Sequence, residues 1–147
     1  MRQNIAAVLI FRDGDKIAFI KRQNTGWMDG KYALPGGKVD TGESFTQGII
    51  REAEEEVGVT LKPKDIEVVL VAQVRGADDD NIWTNVIFEA HNWEGEVHNA
   101  EPDFASELVW LDPKDLPVDE TVPQTFFYFE QLAAGKHYGE FGWKQDA

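Results

Sequence analysis

Near the N-terminus the apolar residues fall in two short blocks. Ile5–Phe11 and Ile17–Arg22 flank Asp13-Gly14-Asp15, an order that predicts two strands of a hairpin. The stretch QNTGWMDGKYALPGG that follows is dense in turn residues and carries an isolated Trp27. Ser44–Val57 predicts a helix: Ser44 and Gln47 have capping-box spacing, Gly58 is a left-handed stop and Pro63 lies beyond it. Val68–Val74 and Ile82–Ala90 read as strands, the second with Ile82, Thr84, Val86, Phe88 and Ala90 on one side. ADDDN between them reads as a solvated hairpin loop, because it lacks the spaced ligands and glycine of an EF-hand. Leu108–Leu111 predicts a last short strand, and Pro123–Ala134 a second helix opened by its proline and closed by Gly135. This order predicts an α/β (α+β) sandwich, a mixed sheet between helices. Nothing in 1–147 reads as a repeat or linker, so a single domain is expected. The tail YGEFGW reads as an aromatic clamp onto it, with a place in a substrate pocket as the alternative.

Composition narrows the chemistry. The 147 residues are enough for a substantial core, and 42% hydrophobic with 28% charged is an ordinary globular mixture. A net charge of −13 argues against a nucleic-acid polymer or an anionic membrane surface as partner, since both need a basic footprint. A small anionic substrate remains open where cations mediate the contact. Cysteine is absent, which removes disulfides and thiolate metal sites. His91, His98 and His137 are scattered, so any metal is expected to be a hard ion on oxygen ligands, magnesium or manganese. Ile5–Phe11 is too short to span a bilayer and leads into no cleavage site. The expected location is the cytoplasm, and the expected state a monomer or homodimer.

The chemistry concentrates in LPGGKVDTGESFTQGIIREAEEEVGV, Leu34 to Val59. With Glu52 at zero on a helical wheel, Glu55 falls at about 300° and Glu56 at about 40°, while Glu54 points away at about 200°. Ile49, Ile50, Ala53 and Val57 occupy about 60° to 160°, the face that should meet the core. Three carboxylates thus border the buried face, where like charges raise one another's pKa unless a cation lies among them. Gly48, at about 320°, leaves room in the same arc for a ligand or a neighbouring loop. By itself such a cluster reads first as a solvated face.

The spacing around it adds a second reading. Gly37, Glu43, Arg51-Glu52, Glu55-Glu56, Gly58 and Val59 fit the pattern G-x5-E-x7-R-E-U-x-E-E-x-G-U, where U is a bulky aliphatic residue. This resembles the Nudix box of the Nudix hydrolase family. The one departure is Ala53 at the first U, a packing position. The resemblance implies a Nudix α/β/α sandwich and hydrolysis of a nucleoside diphosphate linked to another group. It makes Glu52, Glu55 and Glu56 metal ligands, with the carbonyl of Gly36 or Gly37 as a further oxygen. Glu52 matches the base of the triphosphate branch, and Glu43 with Arg51 the pair that braces the box. Glu101 stands where similar small members place a further metal-binding glutamate, with Asp103 and Glu107 as competitors.

Substrate contacts follow from the same resemblance. Lys21 and Arg22 stand where relatives contact phosphate; the alternative is a solvated strand end. Trp27 would stack on a base or else cover a core edge. Gln124 and Thr125 stand where relatives read the base. ADP-ribose-type members carry a proline about fifteen residues after the box, near Val74 here, and dinucleoside-polyphosphate members a tyrosine near Gly76. Neither mark is present. The small size and the LPGG…WEGE…LP layout resemble the small MutT-like branch, which implies a nucleoside triphosphate cleaved to the monophosphate and pyrophosphate. A nucleotide sugar or other nucleoside-diphosphate derivative is the second enzymatic reading. A non-catalytic nucleotide-binding domain is the third, and such domains usually lose box glutamates.

Overall fold

The N-terminal apolar block becomes β1 (Arg2–Asp13), a strand covered on both faces. Its side chains alternate, so Ala7, Leu9 and Phe11 face one way and Val8 and Ile10 the other. The computed structural model describes residues 2–76 and 81–143. Of the acidic loop ADDDN expected before the strand Ile82–Ala90, 77–80 lie outside the described residues, and Asn81 belongs to the strand itself. Further along the chain come β2 (Lys16–Arg22), β3 (Tyr32–Ala33), β4 (Gly36–Lys38) and α1 (Phe45–Val57). Then follow β5 (Ile66–Arg75), β6 (Asn81–Ala90), β7 (Ala105–Leu111), α2 (Gln124–Ala133) and β8 (Tyr138–Phe141).

These strands form one mixed sheet in the order β3-β2-β1-β6-β5-β8, with β4 on β1 and β7 on β2. β1 and β6 run parallel, in register from Arg2↔Asn81 to Phe11↔Ala90. The predicted hairpin forms only at its tip, where Arg12 pairs with Ile17 and Asp13 with Lys16. Beyond the tip the two strands part. β1 takes β4 as its antiparallel neighbour, and β2 pairs along its length with β7.

The helices cover opposite faces, as the element order predicts. Ile49, Ala53 and Val57 of α1 pack on Ala7, Leu9, Phe11, Val86, Phe88 and Ala90. On the other face Tyr128, Phe126 and Phe129 of α2 join Ile10, Phe19, Leu70 and Ile87. Each such side chain taken fully out of water contributes about 1.5–3 kcal/mol. α1 starts as its sequence dictates: the Ser44 hydroxyl accepts the Gln47 N–H at 3.0 Å, and the Gln47 side chain accepts the Ser44 N–H at 2.9 Å. It stops at Gly58, in the left-handed region at φ 69°. The C-terminal segment docks as a strand: β8 lies parallel to β5, and of its aromatics Phe141 packs 5.4 Å from Phe127 while Tyr138 stays exposed. No helix among the described residues is long and apolar enough to cross a membrane.

Candidate active site

A cleft enclosing about 250 Å³ opens where β1 and β2 part. Ile20 and Arg22 of β2, Gly36 and Gly37 of β4, and Glu52 and Glu56 of α1 line it. Thr25, then Glu101 and Phe104 from the β6–β7 connection and Ala105 at the start of β7, complete the wall. The wheel places Glu52, Glu56 and Glu54 as expected, but Glu55, grouped with the first two, does not line the cleft. Glu52 and Glu56 face the cleft, Glu54 is exposed, and Glu55 sits half-exposed beside Arg51.

Arg51 is the cation that makes this crowding tolerable. It grips Glu43 with two bonds, 2.8 and 2.9 Å, and reaches Glu52 at 3.0 Å and Glu55 at 3.1 Å. Glu43 also accepts the Asp40 N–H at 2.8 Å, so the loop before α1 is tied to the helix. The Arg51 bond, reinforced by that N–H, holds the Glu43 carboxyl below the usual carboxylate range. The space at Gly48 is filled from this loop: a Cβ there would meet Glu43 at 3.3 Å and Val39 at 3.4 Å. Of the two possibilities for that gap, the loop is the one the structure shows.

Gly36 and Gly37 fix the opposite wall. Gly36 has φ 149°, and a Cβ on it would run into the Ala7 carbonyl of β1. A Cβ on Gly37 would lie 2.7 Å from the Glu52 carboxylate. The close approach lets the Gly36 N–H donate to Glu56 at 2.8 Å.

Glu56 differs from the other acids of the box. Part of it stays open to the cleft, but atoms crowd it on its remaining sides. Burial, then the charge of Glu52, pushes its carboxyl up to about 8, against the opposing pull of the Gly36 N–H. Glu52 is raised as well, chiefly by burial, although Arg51 pulls the other way. Glu101 is raised by burial and then by Glu55. Three carboxylates whose charge is costly, beside an open glycine backbone, are a donor set that fits a hard divalent cation. The residues present therefore suit the ion that the box implies.

A second group, Glu67, Glu89 and His91, also brings ligand atoms within 4.8 Å of one another. It shares no residue with the cleft. Glu89 is already paired with Arg12 at 2.9 Å, and Glu67 with His91 at 2.8 Å.

Comparison with known proteins gives the geometry its family. The family model for the NUDIX domain matches residues 1–131. The chain belongs to the Nudix hydrolase family. An 8-oxo-dGTP diphosphatase of Escherichia coli is 31% identical over 115 residues, covering 77% of this chain and 86% of that protein. An ADP-ribose pyrophosphatase of Methanocaldococcus jannaschii is 32% identical over 108 residues, 74% of this chain. The match spans only 61% of that protein's length. Among solved structures, a MutT NUDIX hydrolase from Burkholderia pseudomallei has a TM-score of 0.79 at 29% identity, covering 90% of this chain and 99% of that one. The fold and the intact box are those of a Nudix pyrophosphohydrolase, and Nudix hydrolases generally use a divalent metal.

Around the Nudix box, the structure gathers some predicted residues and separates others. Glu101 reaches the cleft. Asp103 does not line it, and Glu107 instead accepts the Tyr32 hydroxyl at 2.7 Å, a bond that helps push Tyr32 up to about 12. Arg22 lines the cleft, whereas Lys21 points to the other side of β2, its ammonium 5.5 Å from the Tyr32 ring. Trp27 is 47% exposed and stands outside the lining; its ring backs the Arg22 guanidinium at 4.9 Å. Gln124 and Thr125 belong to the α2 face: Gln124 bonds to the Tyr128 hydroxyl and Thr125 is buried. Sequence reasoning missed Phe104, a ring 51% exposed in the cleft wall. It also missed Thr25, which binds Arg22 at 2.9 Å. Nothing in the pattern marked Phe104, but strand alternation from Ile20 would have chosen Arg22 over Lys21.

Proposed function

We propose that this protein hydrolyses a nucleoside triphosphate, deoxy or ribo, to the monophosphate and pyrophosphate, with Mg2+ or Mn2+ as cofactor. The observation that carries the reading is one cleft lined by Glu52, Glu56 and Glu101 together with Arg22. Glu52, Glu56 and Glu101 would hold the ion, with Glu55 at the rim and the Gly37 carbonyl as a backbone donor. The ion supplies screening of the phosphate charge and a more acidic bound water. Glu52 takes the proton from the attacking water, a role suited to a cleft carboxylate steadied by Arg51. Arg22, held by the Trp27 carbonyl at 2.8 Å and by Thr25, meets the phosphate oxygens. Arg51 and Glu43 brace the box and touch no substrate atom.

The name of the Escherichia coli relative supports a purine deoxynucleoside triphosphate, including an oxidised one. That of the Methanocaldococcus relative favours a second reading, a diphosphate linked to a sugar. The deciding experiment is a panel of NTPs, dNTPs, 8-oxo-dGTP, ADP-ribose and nucleotide sugars with Mg2+, scored by released phosphate species in oxygen-18 water. Pyrophosphate from triphosphates supports the proposal. Turnover of ADP-ribose or a nucleotide sugar with triphosphates intact replaces it by the second reading. No turnover in the whole panel leaves a binding domain.

A further inference from the structure

Glu101 is the one cleft carboxylate that no helix or strand carries, and its placement rests on a turn built from side-chain bonds. Asn99 uses both ends of its amide. Its Nδ2 donates to the Ala105 carbonyl at 2.8 Å, and its Oδ1 accepts the Glu101 N–H at 3.2 Å. Inside the turn the Glu101 carbonyl accepts the N–H groups of Phe104 and Ala105, both at 3.0 Å. The same turn is fastened to the end of α1. Ala100 N–H donates to the Glu56 carbonyl at 3.0 Å, and His98 N–H to the Val57 carbonyl at 3.1 Å. Those carbonyls are among the last four of a helix, which find no partner within it. On the far side Gln23 and Asn24 hold the Pro102 and Asp103 carbonyls at 2.6 and 3.0 Å. The main chain next to Glu101 is thus registered to the main chain of Glu56.

We propose that Asn99 is a positioning residue: by stapling the 99–105 turn against the end of α1, it sets Glu101 beside Glu52 and Glu56 and so fixes the affinity for a divalent cation. This rests on the metal-dependent reading above. An amide suits the task because it donates and accepts at once; alanine does neither, and aspartate only accepts. Groups that orient metal ligands typically change metal affinity by about 10- to 100-fold when removed.

The experiment measures Mn2+ binding, without nucleotide, to wild type, Asn99→Ala, Glu101→Gln and the double variant, with a thermal melt to show that each is folded. Each single change should weaken Mn2+ binding by about tenfold, and the double should bind no more weakly than Glu101→Gln alone, because Asn99 acts through Glu101. Effects that multiply in the double variant would overturn the inference, as would an Asn99→Ala protein within about twofold of wild type. If Asn99→Ala does not fold, Asn99→Asp keeps the acceptor and the volume, and the same non-additivity is required of it. Wild type that binds no Mn2+ removes the metal reading itself, and with it this inference. Wild type that binds, weakened by Glu101→Gln but not by Asn99→Ala, removes this inference alone.

Discussion

Glu56 is a largely enclosed acid, open only to the cleft, whose bonding partner is the Gly36 N–H, and that makes it sensitive to protons. Its folded value of about 8 lies above the ordinary 4.5. Between those values the folded protein binds a proton that the unfolded chain does not. Stability from this group is therefore full below the ordinary value and declines as pH rises through about 8. In chelator, urea unfolding should show the wild type losing on the order of a few kcal/mol across that window. Glu56→Gln, which mimics the protonated acid, should flatten the slope; an equal slope in both proteins refutes the assignment. The wheel gives a second contrast at this scale. Glu52→Gln and Glu56→Gln should lower kcat by at least about 100-fold in a steady-state assay, and Glu54→Gln should leave it near wild type. Glu54 is exposed and faces away from the cleft, so a comparable loss there would contradict the geometry.

At the scale of elements, adjacent glycines of β4 should fail in different ways. Gly36→Ala places a methyl against the Ala7 backbone at a positive φ, so neither side can yield, and thermal melting should show a strongly destabilised fold. Gly37→Ala meets only the movable end of Glu52, so the melt should change little while Mn2+ binding weakens. Equal melting losses in the two variants would show that β4 is not fixed in this way. The same strand shows where sequence reading reaches its limit. α1 was legible because its cap, its stop and its periodicity all lie within one segment, and the spacing of the Nudix box lies there too. β3, β4 and β8 are two to four residues long and exist because partners distant in sequence pair with them. No local pattern encodes that. Glu101 stood beside Asp103 and Glu107 as an open choice because a turn, unlike a helix, has no period to say which side chain turns inward. Lys21 and Trp27 read as phosphate and base contacts by position in the chain, yet the side of β2 and the stacking on Arg22 are tertiary facts.

Across the whole molecule, the sheet separates the cleft on the α1 side from a second core on the α2 side, which the terminal strand completes. Phe141 packs in that second core against Phe127. Phe141→Ala should cost about 2 kcal/mol, less than a fully buried ring would, in chemical denaturation. Mn2+ affinity of the folded protein should stay unchanged, since among the described residues the core that takes this ring shares none with the cleft lining. A parallel fall in affinity would mean that the two faces communicate. The fastening of the 98–105 turn has a consequence of another kind. Irregular connections ordinarily exchange their amide hydrogens with solvent quickly, because little holds them closed. Here the amides of His98 and Ala100 are bonded to helix carbonyls and those of Phe104 and Ala105 to Glu101. In deuterium oxide these four should retain protium about as long as the last turn of α1 does, and lose it in step with that turn, so that a connection without regular structure opens as part of the helix it is tied to.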